Sequence, residues 1–225
     1  MIDLSDKPAP APARKGLARL WWVTVRSKKL DNSFYLRPTL TVAKDLLGKY
    51  FIRNIRRKKL IGKIVEVEAY LGENDPASHA YHGKTQRNDV MFWGGGHLYV
   101  YFTYGMHFCA NIVTEEEGKG RAVLLRAVEP IEGIEIMKRF RKMKRRKGES
   151  AAKVNVTNGP AKLCEAFNIK REQNGTDLLG QDIYITQGEN IPRSKIISSE
   201  RIGITNGSEK KWRFYIKGNP FISSQ

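Results

Sequence analysis

The stretch Lys63–Tyr70, KIVEVEAY, holds the residues best suited to chemistry. At the two-residue period of a strand, Val65, Val67 and Ala69 point one way and Glu66, Glu68 and Tyr70 the other. Glu is depleted in strands, and two on one face repel each other. A carboxylate pair beside a phenol can take a proton from water or stabilise a developing positive charge. The competing account is a solvated outer face with two harmless glutamates, and on these eight residues alone it is the favoured one.

Other candidate groups cluster downstream. All four histidines, His79, His82, His97 and His107, fall in one stretch. His79 and His82 stand three apart, so a metal site is thinkable, but they lie in Gly-rich loop sequence with no HExxH helix. A metal is not expected. No GxSxG elbow, Walker-type loop or dinucleotide fingerprint occurs, and the triple glycine Gly94–Gly96 lacks the following Lys-Ser/Thr. What remains is basic charge, aromatic side chains and a carboxylate. Aromatic rings sandwich bases, Lys and Arg hold phosphates, and a carboxylate activates water. That combination suits an enzyme that works on a base removed from its stack. A plain aromatic sheet core would use the same tyrosines.

These groups need elements to position them. Thr39 or Thr41 can cap a short helix through Leu47, with Gly48 as its stop. Lys49–Ile55 and Ile61–Tyr70 read as a hairpin about the basic turn Arg56–Lys59. Residues 71–96 form a long polar loop containing His79, Thr85, Arg87 and Asn88, and loops of that length are usually functional or disordered. HLYVYFTYGMHFCANIV, residues 97–113, reads as two strands turning near Tyr104-Gly105, with Tyr99 and Tyr101 on one face and Tyr104 exposed at the tip. Arg121–Val128 is a further strand with Leu124 and Arg126 on one face. Pro130 is placed to open a helix whose inward residues are Ile131, Ile134, Met137, Phe140 and Met143. That helix runs into the dense basic stretch Lys138–Lys147. Asn158-Gly159-Pro160 opens another, with Leu163, Ala166 and Phe167 inward and Lys162 beside a possible phosphate seat. Asp182–Thr186, Arg201–Thr205 and Trp212–Lys217 read as closing strands. The expected fold is α+β: a single domain with a mixed or antiparallel sheet core, flanking helices and a protruding hairpin.

Composition narrows the partner. The 225 residues carry 40 Lys+Arg against 23 Asp+Glu, a net charge of +17, and are 40% hydrophobic. A core is affordable, and the charge points to a polyanion, nucleic acid before a membrane surface. No apolar run approaches the roughly 18 residues of a membrane span. The two cysteines, Cys109 and Cys164, match no zinc spacing and suit a reducing compartment. Residues 1–33, rich in Ala-Pro and basic side chains, read as a flexible extension before a folded unit at 34–222. Binding to nucleic acid is expected to weaken steeply with salt, because each neutralised phosphate releases counterions. Titration between low and physiological salt checks this, and a flat response counts against phosphate tracking.

Several segments carry a resemblance. EVEAYLG at 66–72, His79, QRN at 86–88, MF at 91–92, LYVYFTYGMHFCANI at 98–112, VLLRAVEP at 123–130, NGPAKLCEAFNI at 158–169 and RFYIKGNPF at 213–221 resemble the alkyladenine (3-methyladenine) DNA glycosylase family. The resemblance implies a monofunctional enzyme that hydrolyses the N-glycosidic bond of alkylated or deaminated purines in double-stranded DNA and leaves an abasic site. It implies one α+β domain, no cofactor, and a monomer, cytoplasmic at the nucleoid in a bacterium or nuclear in a eukaryote. Glu68 corresponds to the general base and Arg126 to a residue beside the water and carboxylate. Tyr70, His79 and Tyr101 correspond to the pocket for the flipped base, Asn111 to the residue that crowds a guanine 2-amino group, and Tyr104 to the wedge in the vacated duplex. DNA-backbone contacts are expected at Thr85, Arg87, Met106 and Lys162. The remaining alternatives are a non-enzymatic nucleic-acid-binding module and a metal-dependent nuclease using the histidines.

Overall fold

The computed structural model describes residues 28–143 and 155–224. Its frame is one nine-stranded sheet in which every pairing is antiparallel. The strands are β1 (Tyr50–Ile55), β2 (Lys58–Tyr70), β3 (His97–Thr103), β4 (His107–Thr114), β5 (Arg121–Glu132), β6 (Thr176–Asp177), β7 (Ile183–Thr186), β8 (Ile196–Ser199) and β9 (Arg213–Ile216). Their order is β6-β3-β4-β5-β2-β1-β7, with β9 pairing β2 and β8. β2 is the long central member. β5 lies along one edge; β1 takes the first half of the other edge and β9 the second. The Glu66–Glu68 segment therefore has both edges paired.

Among the described residues four helices lie on one face: α1 (Asn32–Tyr35), α2 (Thr39–Leu46), α3 (Ile134–Phe140) and α4 (Pro160–Ala166). Val42 and Leu46 of α2, Met137 of α3 and Leu163 and Ala166 of α4 share the main core with Ile64, Val67, Ala69, Ile112 and Leu125 from the strands. Chain from residues 71–96 covers the opposite face, where Ala80, Val90 and Met91 pack on Tyr99, Val113 and Ala122. Packing begins ahead of α1, because Leu30 is buried and Lys29 bridges to Thr186 of β7.

Several expectations are corrected. Thr39 is the first residue of α2, not its cap. The free N–H of Thr39 donates to Glu115 at 2.9 Å, and its hydroxyl to the same oxygen at 2.6 Å. A carboxylate from the β4–β5 turn thus does what a local cap would do. The β1–β2 turn is only Arg56-Arg57, since Ile55 already pairs with Lys58. Pro130 stays in β5 opposite Gly62, and α3 starts at Ile134 after Gly133, whose φ of 78° breaks the strand. Met137 is buried there, but Ile131 belongs to a separate cluster with Tyr50, Ile52 and Ile61. Arg201–Thr205 is loop: Gly203 has φ 74° and the extended pairing ends at Ser199. The strand missed in that region is Ile196–Ser199. Residues 144–147 of the basic stretch Lys138–Lys147 lie outside the described residues.

The faces of β2 also differ from simple alternation. Val65 packs with Ala127 and Ile222, away from the core that holds Val67 and Ala69. The register shifts twice here. β2 advances two residues between Ile64 and Glu66 against one on β5, and β5 then advances two between Ala127 and Leu125 against one on β2. The two bulges compensate, and the extra residue on β5 is Arg126. Bulges re-aim side chains, and this pair brings Arg126 against both glutamates.

Candidate active site

Strand register assembles the site. Glu68 pairs with Leu124, Leu124 with Asn111, and Asn111 with Tyr99, one row across β2, β5, β4 and β3. The row lies on the face away from the helices. Glu66 and Glu68 are fully buried, so the solvated-face account fails. Burying two carboxylates demands compensation, and arginines supply it. Arg126 donates Nε to Glu66 at 3.0 Å and lies with Nη1 3.1 Å from Glu68. Arg213 donates Nε to the same Glu66 oxygen at 2.7 Å. Burial pulls the Arg126 guanidinium toward losing its proton, but Glu68 and Glu66 outweigh that and hold it more firmly charged than usual.

The two glutamates are not equivalent. Glu66 Oε1 accepts from Arg126, Arg213 and the Ser223 hydroxyl, and Oε2 from the Ser223 N–H. Among the described residues, Glu68 Oε1 takes the Arg126 guanidinium and the Ile202 N–H, while Oε2 takes only the Tyr70 hydroxyl, at 2.9 Å. A carboxylate offers about four acceptor positions. Glu68 therefore keeps one free, on the oxygen beside Tyr70.

In front of Glu68 is a cavity of about 520 Å³, within the roughly 300–1,000 Å³ of small-molecule sites. Tyr70, His79, Tyr101, Tyr104, Asn111 and Arg126 all line it. Glu68 stands directly behind that wall, bonded to Tyr70, Arg126 and Ile202. Tyr99 and Tyr101 stack at 5.6 Å, and the His79 ring meets Tyr101 edge-on at 4.4 Å. His79 Nδ1 hydrogen-bonds the Tyr99 hydroxyl at 3.1 Å. Asn111 Nδ2 donates to the Tyr99 carbonyl at 3.2 Å.

Burial keeps these groups uncharged. It pushes the Tyr99 phenol up to about 12. It raises the Tyr70 phenol further, with Glu68 adding to the effect, and the Tyr101 phenol with Cys109 adding. Burial and then Arg87 lower the His79 imidazole. A neutral imidazole and neutral phenols can face a cationic heterocycle without repelling it.

At the cavity mouth the β3–β4 hairpin turns on Tyr104 and Gly105, with φ 50° and 67°. Positive φ at both central residues is the tight hairpin turn that Asn-Gly normally fills. A tyrosine there costs roughly 1–2 kcal/mol, and it is 81% exposed. Met106 beside it is 70% exposed. Thr85 and Arg87 are exposed on the long loop, where Arg87 reaches the Phe102 carbonyl of the hairpin at 3.4 Å. Lys162 lies outside the cavity lining and bonds Asn158 at 3.0 Å. Among the described residues no group of three or more His, Cys, Asp or Glu could hold a metal.

Sequence reading passed over one whole wall. Ile202, Gly203, Ile204, Thr205 and Asn206 line the cavity, but their alternating Ile residues mimic a strand. Arg201 anchors that wall through two bonds to Asp75, both side chains fully buried. Asp75 and Arg201 are 126 positions apart, and no local pattern announces them. Asn88 stands in the sequence reading only as a residue of the long loop, with no role. It is buried, donates to the His79 and Gly83 carbonyls and accepts from the Thr85 N–H, and so fixes the loop that carries His79.

Comparison with known proteins gives the class, a DNA glycosylase. Residues 33–220 match the family model described as methylpurine-DNA glycosylase (MPG). A Clostridium acetobutylicum relative is 48% identical over 201 residues, covering 87% of this chain and 97% of its own. One from Carboxydothermus hydrogenoformans is 49% identical over 197 residues, covering 87% and 99%. Both carry the provisional name 3-methyladenine DNA glycosylase. The chain belongs to the methylpurine-DNA glycosylase family.

Proposed function

We propose that this protein excises alkylated or deaminated purines from duplex DNA by flipping the damaged nucleotide into the aromatic cavity and hydrolysing its N-glycosidic bond. The observation that carries this reading is the free acceptor position on Glu68 Oε2, behind a cavity lined by Tyr70, His79, Tyr101 and Asn111. A water held there gives its proton to Glu68 as its oxygen bonds to the sugar C1′. The electron pair of the C1′–N bond leaves with the purine, and an abasic sugar remains. Alkylation at N3 or N7 makes the purine cationic and already a good leaving group. The sugar becomes oxocarbenium-like as it departs, and the buried carboxylate stabilises that charge. Arg126 and the Ile202 N–H fix the other oxygen of Glu68, so the base is aimed before the substrate arrives.

Single-turnover excision on duplexes containing hypoxanthine or a methylpurine, read as abasic sites, tests the reading. Abasic sites without added metal are the expected result. Tight binding with no abasic product makes the chain a nucleic-acid-binding module instead.

Tyr104 is the group to enter the space a flipped base leaves, since an exposed aromatic on a strained tip can wedge into a duplex. Tyr104→Ser is expected to cut excision from duplex on the order of tenfold while sparing single-stranded substrate, where no stack needs opening. An equal loss on both substrates removes the wedge role.

Asn111 stands in the same row as Glu68, with its amide already tied to Tyr99. A guanine 2-amino group brought against it meets the wall that this side chain makes. Asn111→Ser is expected to raise excision of normal guanine roughly tenfold relative to a lesion. Unchanged discrimination in competition assays removes Asn111 from that role.

A further inference from the structure

We propose that Ser223, near the end of the chain, is a positioning residue for hydrolysis: its hydroxyl locks Arg126 between Glu66 and Glu68 and thereby sets the orientation of the catalytic carboxylate. Ser223 lies beyond the stretch 33–220 that matches the family model. The chain returns from β9 through Asn219, Phe221 and Ile222, and the buried Ile222 packs against Val65 and Ala127. That contact is with the bulged residue of β2 and the neighbour of the bulged residue on β5. The following residue is thereby delivered to the ionic cluster behind the cavity.

The geometry there is specific. The Ser223 hydroxyl donates to Glu66 Oε1 at 2.8 Å and accepts from Arg126 Nη2 at 3.0 Å. Its own N–H donates to Glu66 Oε2. One hydroxyl has one proton to give and lone pairs to receive, so both contacts form at once with no conflict. Arg126 is then held by all three nitrogens: Nε on Glu66, Nη2 on Ser223 and Nη1 beside Glu68. A guanidinium is planar, so fixing Nε and Nη2 fixes where Nη1 points. The adjacent Arg213 also meets this tail, donating to the Ser224 carbonyl while its Nε holds Glu66. The charged groups around Ser223 are therefore Glu66, Arg126 and Arg213, and only Arg126 passes the constraint forward to Glu68.

Without the hydroxyl, Arg126 keeps its Glu66 contact but can pivot about Nε, and Nη1 leaves Glu68. The carboxylate then loses one of the two donors that fix Oε1, and the free position on Oε2 moves with it. Misplacement of a reacting group by a fraction of an ångström lowers the rate without touching the base pocket.

This inference rests on the reading of Glu68 as the base, and the experiment separates the two. Ser223→Ala, Ser223→Thr and Glu68→Gln are compared with wild type for single-turnover excision, for lesion-duplex binding and for thermal melting. Ser223→Ala is expected to lose on the order of tenfold in rate with unchanged binding and a melting point near wild type. Ser223→Thr keeps the hydroxyl and is expected to recover most of the rate. Wild-type rates in Ser223→Ala overturn the proposal. So does a matched loss of binding and melting temperature, which marks Ser223 as merely structural. So does failure of Ser223→Thr to recover in a folded protein. An active Glu68→Gln instead sinks the reading of Glu68 itself, whatever Ser223 does.

Discussion

Glu68→Gln is expected to fold normally, bind lesion-containing duplex and fail to release the base. The fold should survive because the amide can meet every neighbour. Its oxygen takes the place of Oε1, toward the Ile202 N–H and Arg126, which can only donate. Its NH₂ then faces Tyr70, whose hydroxyl can turn and accept. The same orientation points N–H groups, not a lone pair, at the position a water would occupy. The water has nothing to receive its proton, and the negative charge that steadies the sugar is gone. General-base catalysis alone is worth about 10²–10⁴-fold, and lost charge stabilisation adds to that. The measurement is single-turnover excision at neutral pH alongside binding to a hypoxanthine duplex. A near-normal rate on folded protein would falsify the mechanism. Loss of binding equal to the loss of rate would give Glu68 a role in holding the base instead.

Local patterns in the sequence made much of this site legible. The strand through KIVEVEAY, the hairpin about Tyr104-Gly105 and the pairing of Tyr99 with Tyr101 depend only on neighbours in the chain, and each is present. The antiparallel sheet with helices follows from the same patterns. What stayed hidden depends on distant parts of the chain. Alternation in β2 ignores bulges, so it placed Val65 with Val67 and could not see Arg126 re-aimed toward Glu66 and Glu68. Pro130 looked like a helix start because proline favours a first turn, but a proline in a strand costs only its missing N–H, and the chain does not turn until Gly133. The wall from Ile202 to Asn206 looked like a strand, and only the buried Asp75–Arg201 pair makes it a lining loop. Most telling is Glu66. On spacing alone it was the twin of Glu68 and a natural control for it. In the fold its acceptor positions are all taken, so it is a different kind of residue.

Glu66→Ala is expected to be the most destabilising single change at this site. Glu66 is fully buried and carries two guanidinium groups, Arg126 at 3.0 Å and Arg213 at 2.7 Å, together with both polar groups of Ser223. Coulomb attraction in such a cluster roughly repays the cost of stripping water from the ions, so the intact group is not a large net source of stability. Removing one member is another matter. Arg126 and Arg213 are both buried. With Glu66 gone, Arg213 has no carboxylate partner among the described residues, and Arg126 has Glu68 alone there. Breaking a buried pair in this way costs about 3–5 kcal/mol. For a chain of this size each kcal/mol moves the melting point by roughly 2–4 °C, so the midpoint should fall by about 10 °C. Glu66→Gln keeps acceptors for one or two donors and should lie between Ala and wild type. Glu68→Gln, with its donors still satisfied, should melt close to wild type. The check is thermal unfolding of the three variants at one pH and salt. A Glu66→Ala midpoint within about 2 °C of wild type would mean that water reaches the arginines readily and that the cluster holds neither the sheet nor Arg126 in place.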